Sequence, residues 1–476
     1  MSKVLFIYPA IDNESLAIEY LSSVLKQKGH ETDLILNYLP EKDFKGRLME
    51  RIDLFKPDFI GFSVVTDDYL WACGIAKFIK EKTNLPIIFG GIQVTSCPEI
   101  VIANSFVNYA VLGEGEQAIC DIVENPERTD IANVWNRKGE IIFKNPLREL
   151  IQDLDSISFP DKTLFFKEAP YLKDIYHCIT SRGCPFFCSY CYNHQMRKLY
   201  DGHKWLRKRS VQNVIEELKI MKKDIGYKQI LFVDDCFISD VSWLEEFAKA
   251  YKEKINVPFR VIAHPQFINK DIARLLKQAG CIRVQLGVQT PIQRIRKYIC
   301  NRFEDNETIL NAVSTLKKEG IFVQIDHIFG LPSEKINEYE DCGIEFYISL
   351  KPNIISSFWL QYYPNTEIIE IGKKHGEIDD KTIEEIKHGK INYDETMKRR
   401  QSNPELMAIY GFFCWIPILP KFISRIILKK RYYKWMFKNP SMNKIPYAIS
   451  NMSSMKNVQI AMKRKKDMKE FYRSII

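Results

Sequence analysis

The chain has 476 residues, 46% hydrophobic and 27% charged, a balance that excludes a disordered or fibrous polymer and leaves room for about three packed domains. Its net charge of +9 sits at one end: residues 421–476 hold 15 Lys+Arg against 2 Asp+Glu, a surplus of 13 that leaves −4 for residues 1–420. A basic surface spread over the whole protein is thereby excluded.

The first seven residues read as a short apolar strand rather than a secretory signal: a basic leader, a long apolar stretch and a small-residue cleavage site are all lacking. A cytoplasmic location is the expectation, with the twelve cysteines reduced and either free or metal-bound. Val4, Leu5, Phe6 and Ile7 form the first predicted strand. A helix follows through Leu16, Tyr20, Leu21, Val24 and Leu25, which share one face, and Gly29 is placed to end it. Strands are predicted again at 34–36, 59–65, 87–91 and 109–113. Their alternation with helices predicts a parallel, doubly wound sheet over residues 1–135. Such sheets bind ligands at the carboxyl ends of their strands. Those ends are marked here by Tyr8 and Pro9, by Ser63 to Thr66, by Gly90 and Gly91, and by Gly113, Glu114, Gly115 and Glu116. A glycine after one strand is ordinary turn chemistry. Its return at three strand ends points to a ligand that the backbone must approach closely.

Residues 136–175 read as a linker containing a hairpin at Asn136-Arg137-Lys138-Gly139. The alternation then resumes, with strands at 230–233, 260–262, 283–287, 323–327 and 354–358 and helices at 213–223, 243–254, 270–279 and 307–318. This pattern predicts a full or partial α/β barrel over 176–395. From 396 to 476 the strands stop and the sequence turns helical, aromatic and basic.

Just after an apolar strand at 176–180 comes Ser181-Arg182-Gly183-Cys184-Pro185-Phe186-Phe187-Cys188-Ser189-Tyr190-Cys191-Tyr192-Asn193. Three thiolates in one compact loop can converge on an iron–sulfur cluster, for which sulfur is the preferred ligand. A cubane cluster has four irons, so three protein ligands leave one open. Zinc with His177 or His194 as fourth ligand is a second reading, although zinc cysteines usually come as paired knuckles. Ordinary buried thiols are a third.

The Cys-x3-Cys-x2-Cys spacing with an aromatic before the last cysteine resembles the signature of the radical S-adenosylmethionine (SAM) superfamily. The resemblance implies a [4Fe-4S] cluster on Cys184, Cys188 and Cys191, whose open iron chelates SAM. Reductive cleavage of the SAM sulfonium bond then gives a 5′-deoxyadenosyl radical, the electron coming from a donor such as flavodoxin or ferredoxin. It further implies that Tyr190 lies near the adenine and that Asp234 and Asp235, at a strand end, reach the SAM ammonium or ribose. Either aspartate is also a plain turn cap. Leu286-Gly287-Val288-Gln289-Thr290 resembles a later strand end that often reads Gly-x-Glu-Ser, so Gln289 offers a neutral hydrogen bond in place of an acid. Arg302 matches a recurrent basic position, and Gly330-Leu331-Pro332 and Tyr363-Pro364-Asn365-Thr366 resemble two further landmarks.

A flavodoxin-like (Rossmann-type) domain ahead of such a barrel resembles the cobalamin-binding domain of one subgroup, most members of which transfer methyl groups to poorly activated atoms. The resemblance implies cobalamin at Tyr8, Pro9, Ser63, Thr66, Gly90, Gly91, Gln93, Gly113, Glu114, Gly115 and Glu116. Two departures matter. The stretch after the first strand reads Asp12-Asn13-Glu14-Ser15-Leu16-Ala17, without the histidine of cobalt-ligating domains, and Gln93 stands where the subgroup commonly has histidine. The expected activity is cobalamin-dependent methyl transfer to an unactivated carbon, or another poorly nucleophilic atom, of a small-molecule or lipid-like substrate. Oxidative cyclisation or rearrangement, a tRNA methylthiotransferase, and a non-catalytic cluster- or cobalamin-binding sensor are the alternatives; methylthiotransferases hold a second cluster on three N-terminal cysteines, whereas Cys73, Cys97 and Cys120 fall in a helix, a loop and a helix. The tail admits a helical cap with a solvated basic face, a peripheral membrane contact, or RNA binding without a recognisable module.

Overall fold

The structure is a computed structural model that describes residues 1–9, 13–38, 41–393, 396, 403–437, 466–468 and 470. The first sheet has seven strands: β1 (Lys3–Tyr8), β2 (Glu31–Leu36), β3 (Phe59–Ser63), β4 (Ile87–Gly90), β5 (Tyr109–Val111), β6 (Val134–Lys138) and β7 (Ile141–Lys144). Their order is β2-β1-β3-β4-β5-β6-β7, with β1 to β5 parallel and the β6–β7 hairpin antiparallel. The strand period of two sends Val4 and Phe6 into one core and Leu5 and Ile7 into another, so helices cover both faces of the sheet. The helix Leu16–Gln27 is started by Ser15, whose side chain accepts from the Ile18 amide, and Gly29 follows it at φ +83°. The expected hairpin at 136–139 is present, and it extends this sheet beyond residue 135 instead of lying in a separate linker.

The second sheet is made of β8 (Ile175–Cys178), β11 (Gln229–Phe232), β12 (Phe259–Ala263), β13 (Cys281–Gln289), β14 (Phe322–Phe329) and β15 (Ile354–Trp359). These six strands are all parallel, in the order β8-β11-β12-β13-β14-β15, each joined to the next by a helix on the outer face. The sheet is a partial barrel with β8 and β15 as its two edges. A short ribbon of β9 (Ser181–Arg182) and β10 (Arg207–Lys208) stands apart from it. The helix Pro404–Trp415 caps the barrel, where Phe413 meets His327, Phe329 and Tyr347 with ring centroids 4.8–5.4 Å apart. Among the described residues, no helix is long and apolar enough to cross a membrane.

Lys162 joins the two halves. It is almost wholly buried and sits 2.6 Å from Glu14 and 2.8 Å from Glu19, while Glu14 also accepts from the His177 amide on β8. Against burial, which lowers it, the two carboxylates hold the Lys162 ammonium above its ordinary value. Removing the lysine would leave two buried acids facing each other. Lys162→Met is expected to cost about 3–5 kcal/mol of stability, read as a fall in the urea midpoint.

Candidate active site at the cysteine loop and the domain interface

Asp234, just past β11, shapes the entry to the cysteine loop. It is fully buried and accepts from the Thr180 amide at 3.0 Å, from the Thr180 hydroxyl at 2.7 Å and from the Ser181 hydroxyl. Its carboxylate is spent on the turn out of β8. Gly183 follows at φ +88°, and a Cβ there would lie 2.5 Å from the Trp205 carbonyl oxygen, so glycine is required. Beyond it the loop is clamped to the barrel: the Ser189 amide donates to Cys300 O at 3.2 Å, Ile368 N donates to Ser189 O at 2.9 Å, and the Asn301 amide donates to Phe187 O at 2.8 Å.

Cys188 is buried, whereas Cys184 and Cys191 are half-buried. Burial raises the Cys184 thiol and pushes Cys191 up to about 11, so both are protonated at neutral pH until a metal takes them as thiolates. Asn193 Nδ2 stands 3.8 Å from Cys191 Sγ and Arg302 Nη1 stands 3.7 Å from Cys188 Sγ, outer donors of the sort that support ligating sulfur. Among the described residues, no three His, Cys, Asp or Glu side chains are gathered closely enough to hold one metal ion. A cluster, which gives each thiolate its own iron, is the group these cysteines suit. The two zinc-reading histidines face elsewhere: His177 Nδ1 is 3.4 Å from Glu14 and His194 Nδ1 is 3.1 Å from Glu367.

Asp235 lies beside Cys184, Cys191 and the Asn193 side chain, and burial in this recess raises its carboxyl. Tyr190 packs on the barrel core, with burial and then the Cys188 thiol raising its phenol. Arg302 is held by Glu304 at 2.8 Å and by the Gly287 carbonyl. Gln289, at φ +68° after a register shift in β13, folds its amide back so that a Cβ on Gly287 would lie 2.6 Å from it. Arg302, Gln289 and Cys188 therefore meet at one corner of the loop.

Asp326 on β14 was not singled out from the sequence. It faces the barrel interior, accepts from Gln285 at 2.7 Å and keeps its other carboxylate oxygen buried without a partner. Burial raises its carboxyl to about 6. The available signal is the alternation at 322–327, where Gln324 and Asp326 interrupt an otherwise apolar strand.

A cavity of about 370 Å³ opens at the carboxyl ends of the first sheet. Ser63, Gly90, Gly91, Gly113, Glu114, Gly115 and Glu116 line it, with Leu16, Ala17, Leu21, Ile88 and Ile119 behind them. Its opposite wall is Arg182, Gly183, Tyr192 and Asn193 from the cysteine loop. Gly91, at φ +99°, and Gly113, at φ +65°, leave no room for a side chain, because a Cβ would meet Val64 O at 2.7 Å or strike the Tyr200 hydroxyl. A glycine-lined strand end with apolar residues behind it lets the flat face of a ligand come close to the backbone. Glu114 lies 3.0 Å from Arg182 and 2.9 Å from Arg207, and Glu116 also pairs with Arg182, so both glutamates brace the cavity wall. Tyr8, Pro9, Thr66 and Gln93 do not line the cavity. Tyr8 packs edge-on to Phe165, Thr66 is buried, and Gln93 is fully buried with its amide donating to Lys387 O at 2.7 Å. Among the described residues, no histidine lines the cavity.

The B12 binding domain model matches residues 2–123, and the radical SAM superfamily model matches residues 178–342. The chain is a B12-binding domain joined to a radical SAM domain. It is 28% identical over 364 residues to an uncharacterized methyltransferase of Pyrococcus horikoshii, covering 75% of this chain and 77% of the relative. It is 25% identical over 366 residues to the anaerobic magnesium-protoporphyrin IX monomethyl ester cyclase of Rubrivivax gelatinosus, covering 71% of this chain and 64% of the relative. Two solved structures share its fold. The radical SAM methyltransferase TsrM of Kitasatospora setae, with cobalamin and a [4Fe-4S] cluster bound, gives a TM-score of 0.66 at 18% identity, over 79% of this chain and 78% of that one. The cobalamin-dependent SAM radical enzyme OxsB, with aqua-cobalamin and SAM bound, gives 0.69 at 15% identity, over 100% of this chain and 81% of that one.

A carboxyl raised on folding stabilises the fold while protonated, and that contribution disappears as pH rises through the folded value. For Asp326 it is fully present below about pH 4 and lost through about 6. Asp326→Asn is expected to remove this dependence, so its stability relative to wild type rises by at most about 3 kcal/mol from acid to neutral pH, as measured by denaturant titration.

Proposed function

We propose that this protein is a cobalamin-dependent radical SAM methyltransferase acting on a poorly activated atom of a small molecule. The observation that carries the reading is the shared cavity: one wall is the glycine-lined end of the B12-binding sheet and the other is the cysteine loop. Together, the cluster, SAM and cobalamin supply one-electron cleavage of a sulfonium carbon–sulfur bond and a transferable methyl group. Cys184, Cys188 and Cys191 would hold the cluster, and Asn193 and Arg302 donate towards two of these sulfurs. Asp235, Gln289 and Tyr190 would contact SAM, Asp235 lying beside Cys184 and Cys191 and Gln289 beside Arg302. Gly90, Gly91, Gly113, Gly115 and the apolar residues Leu16, Ala17 and Ile119 would border the corrinoid, and none of the described residues lining the cavity is a histidine. The ionic clamp of Glu114 on Arg182 and Arg207, with Glu116 on Arg182, would hold the two sites in register. An electron carrier such as flavodoxin or ferredoxin completes the set of partners.

The cyclase relative favours a second reading, oxidative cyclisation, over the same sites. Anaerobically reconstituted protein is expected to show visible cluster absorbance and to release 5′-deoxyadenosine from SAM under reduction. Cys188→Ala should lose both, and a variant that still cleaves SAM reductively would refute the ligand assignment. Methyl-labelled SAM separates the two reactions: label in the product supports transfer, whereas turnover with the label recovered only in methionine supports cyclisation.

Ala17 is an exposed residue of the cavity lining, and Ala17→Trp sets a large ring into that space. It is expected to lower cobalamin retention on gel filtration at least about tenfold by occupying the cavity, while cluster absorbance stays at the wild-type level.

A further inference from the structure

The helix Lys421–Lys429 buries Ser424 and Ile427 and packs on the helix Ile344–Leu350. Its outward face carries Phe422 at 66% exposure and, one turn on, Ile426 at 53%. The turn that follows leaves Tyr432 and Met436 exposed, and Trp435 reaches 80%. Five large apolar side chains within 15 residues make a concentration that a solvated cap does not require. Residues 421–437 also hold six Lys+Arg and no Asp or Glu. Arg425 pairs with Glu345, and Arg431 and Lys434 pair with Glu340, while Lys421 donates to Ser349 O. Lys429 and Lys430, beside the exposed rings, make no ion pair among the described residues. Residues 438–476 add nine Lys+Arg against two acids in sequence.

We propose that this outward face docks the protein on an anionic lipid surface. Rings and aliphatic side chains standing clear of the protein suit the boundary between headgroups and acyl chains, where tryptophan is favoured. Lys429 and Lys430, about one helical turn beyond Ile426, suit lipid phosphates. An acidic protein partner would engage the cations but would leave Trp435 and Phe422 without an apolar counterpart. A bilayer satisfies both sets at once. The inference does not depend on the methyl-transfer reading.

The test is co-sedimentation of the full chain with vesicles of phosphatidylcholine alone and of phosphatidylcholine mixed with phosphatidylglycerol. Partitioning is expected to be at least about tenfold stronger on the anionic vesicles and to weaken with salt. The combined Phe422→Ser, Ile426→Ser and Trp435→Ser variant should lose about tenfold or more of that binding. These positions are exposed, and an unchanged thermal melt together with wild-type cluster absorbance would show that the fold is retained. Lys429→Glu with Lys430→Glu should remove the preference for anionic lipid. Wild type that stays in the supernatant overturns the proposal, as does a triple variant that binds like wild type. Loss of a dimer by the triple variant on gel filtration, with no vesicle binding by wild type, would assign the face to a second copy of the chain and equally overturn it.

Discussion

Glu114, at the carboxyl end of the first sheet, accepts from Arg182 and Arg207 of the ribbon that carries the chain into and out of the cysteine loop. It accepts as well from the Ile151 amide. Against burial, which raises it, the two arginines and this amide hold the Glu114 carboxyl below its ordinary range. The pairing fixes where the cysteine loop lies relative to the glycine-lined strand ends. An exposed ion pair of this kind would contribute little, but one enclosed in a cavity wall keeps its geometry because either partner left alone would be a buried charge.

Several polar residues near the site are occupied with holding it together. Asp234 is fully buried, and its carboxylate closes the turn at Thr180 and Ser181. Gln93 ties the first domain to the helix Asp380–Lys387 through the Lys387 carbonyl. Groups left facing the recess are fewer: Asp235, Gln289, Arg302 and, deeper in the barrel, Asp326. Strand-end position alone does not separate the two kinds, because both sit where the sheet delivers its polar residues.

The strands were legible from sequence because both sheets are parallel and covered on two faces, so each strand is a continuous apolar run such as Val4 to Ile7. The hairpin at 134–144 was visible as a turn, but its attachment to β5 is a long-range choice that local pattern does not encode. The cysteine loop was legible because its spacing is itself the chemistry. Asp326 was not, since its significance lies in a missing hydrogen-bond partner. The double duty of Glu114 and Glu116 was hidden likewise, because Arg182 and Arg207 are separated from them by at least 66 positions.

Among the described residues the second sheet has six strands, with β8 and β15 at its margins. Such a crescent cannot seal its own interior as a complete barrel does. Shielding at the cysteine loop is supplied by the first domain, whose cavity wall is the same stretch of chain. The two halves are thus not interchangeable modules. Exchanging the first domain for a homologue, even one that binds its own ligand well, would unseal the chemistry of the second unless the arginine-facing glutamates came with it.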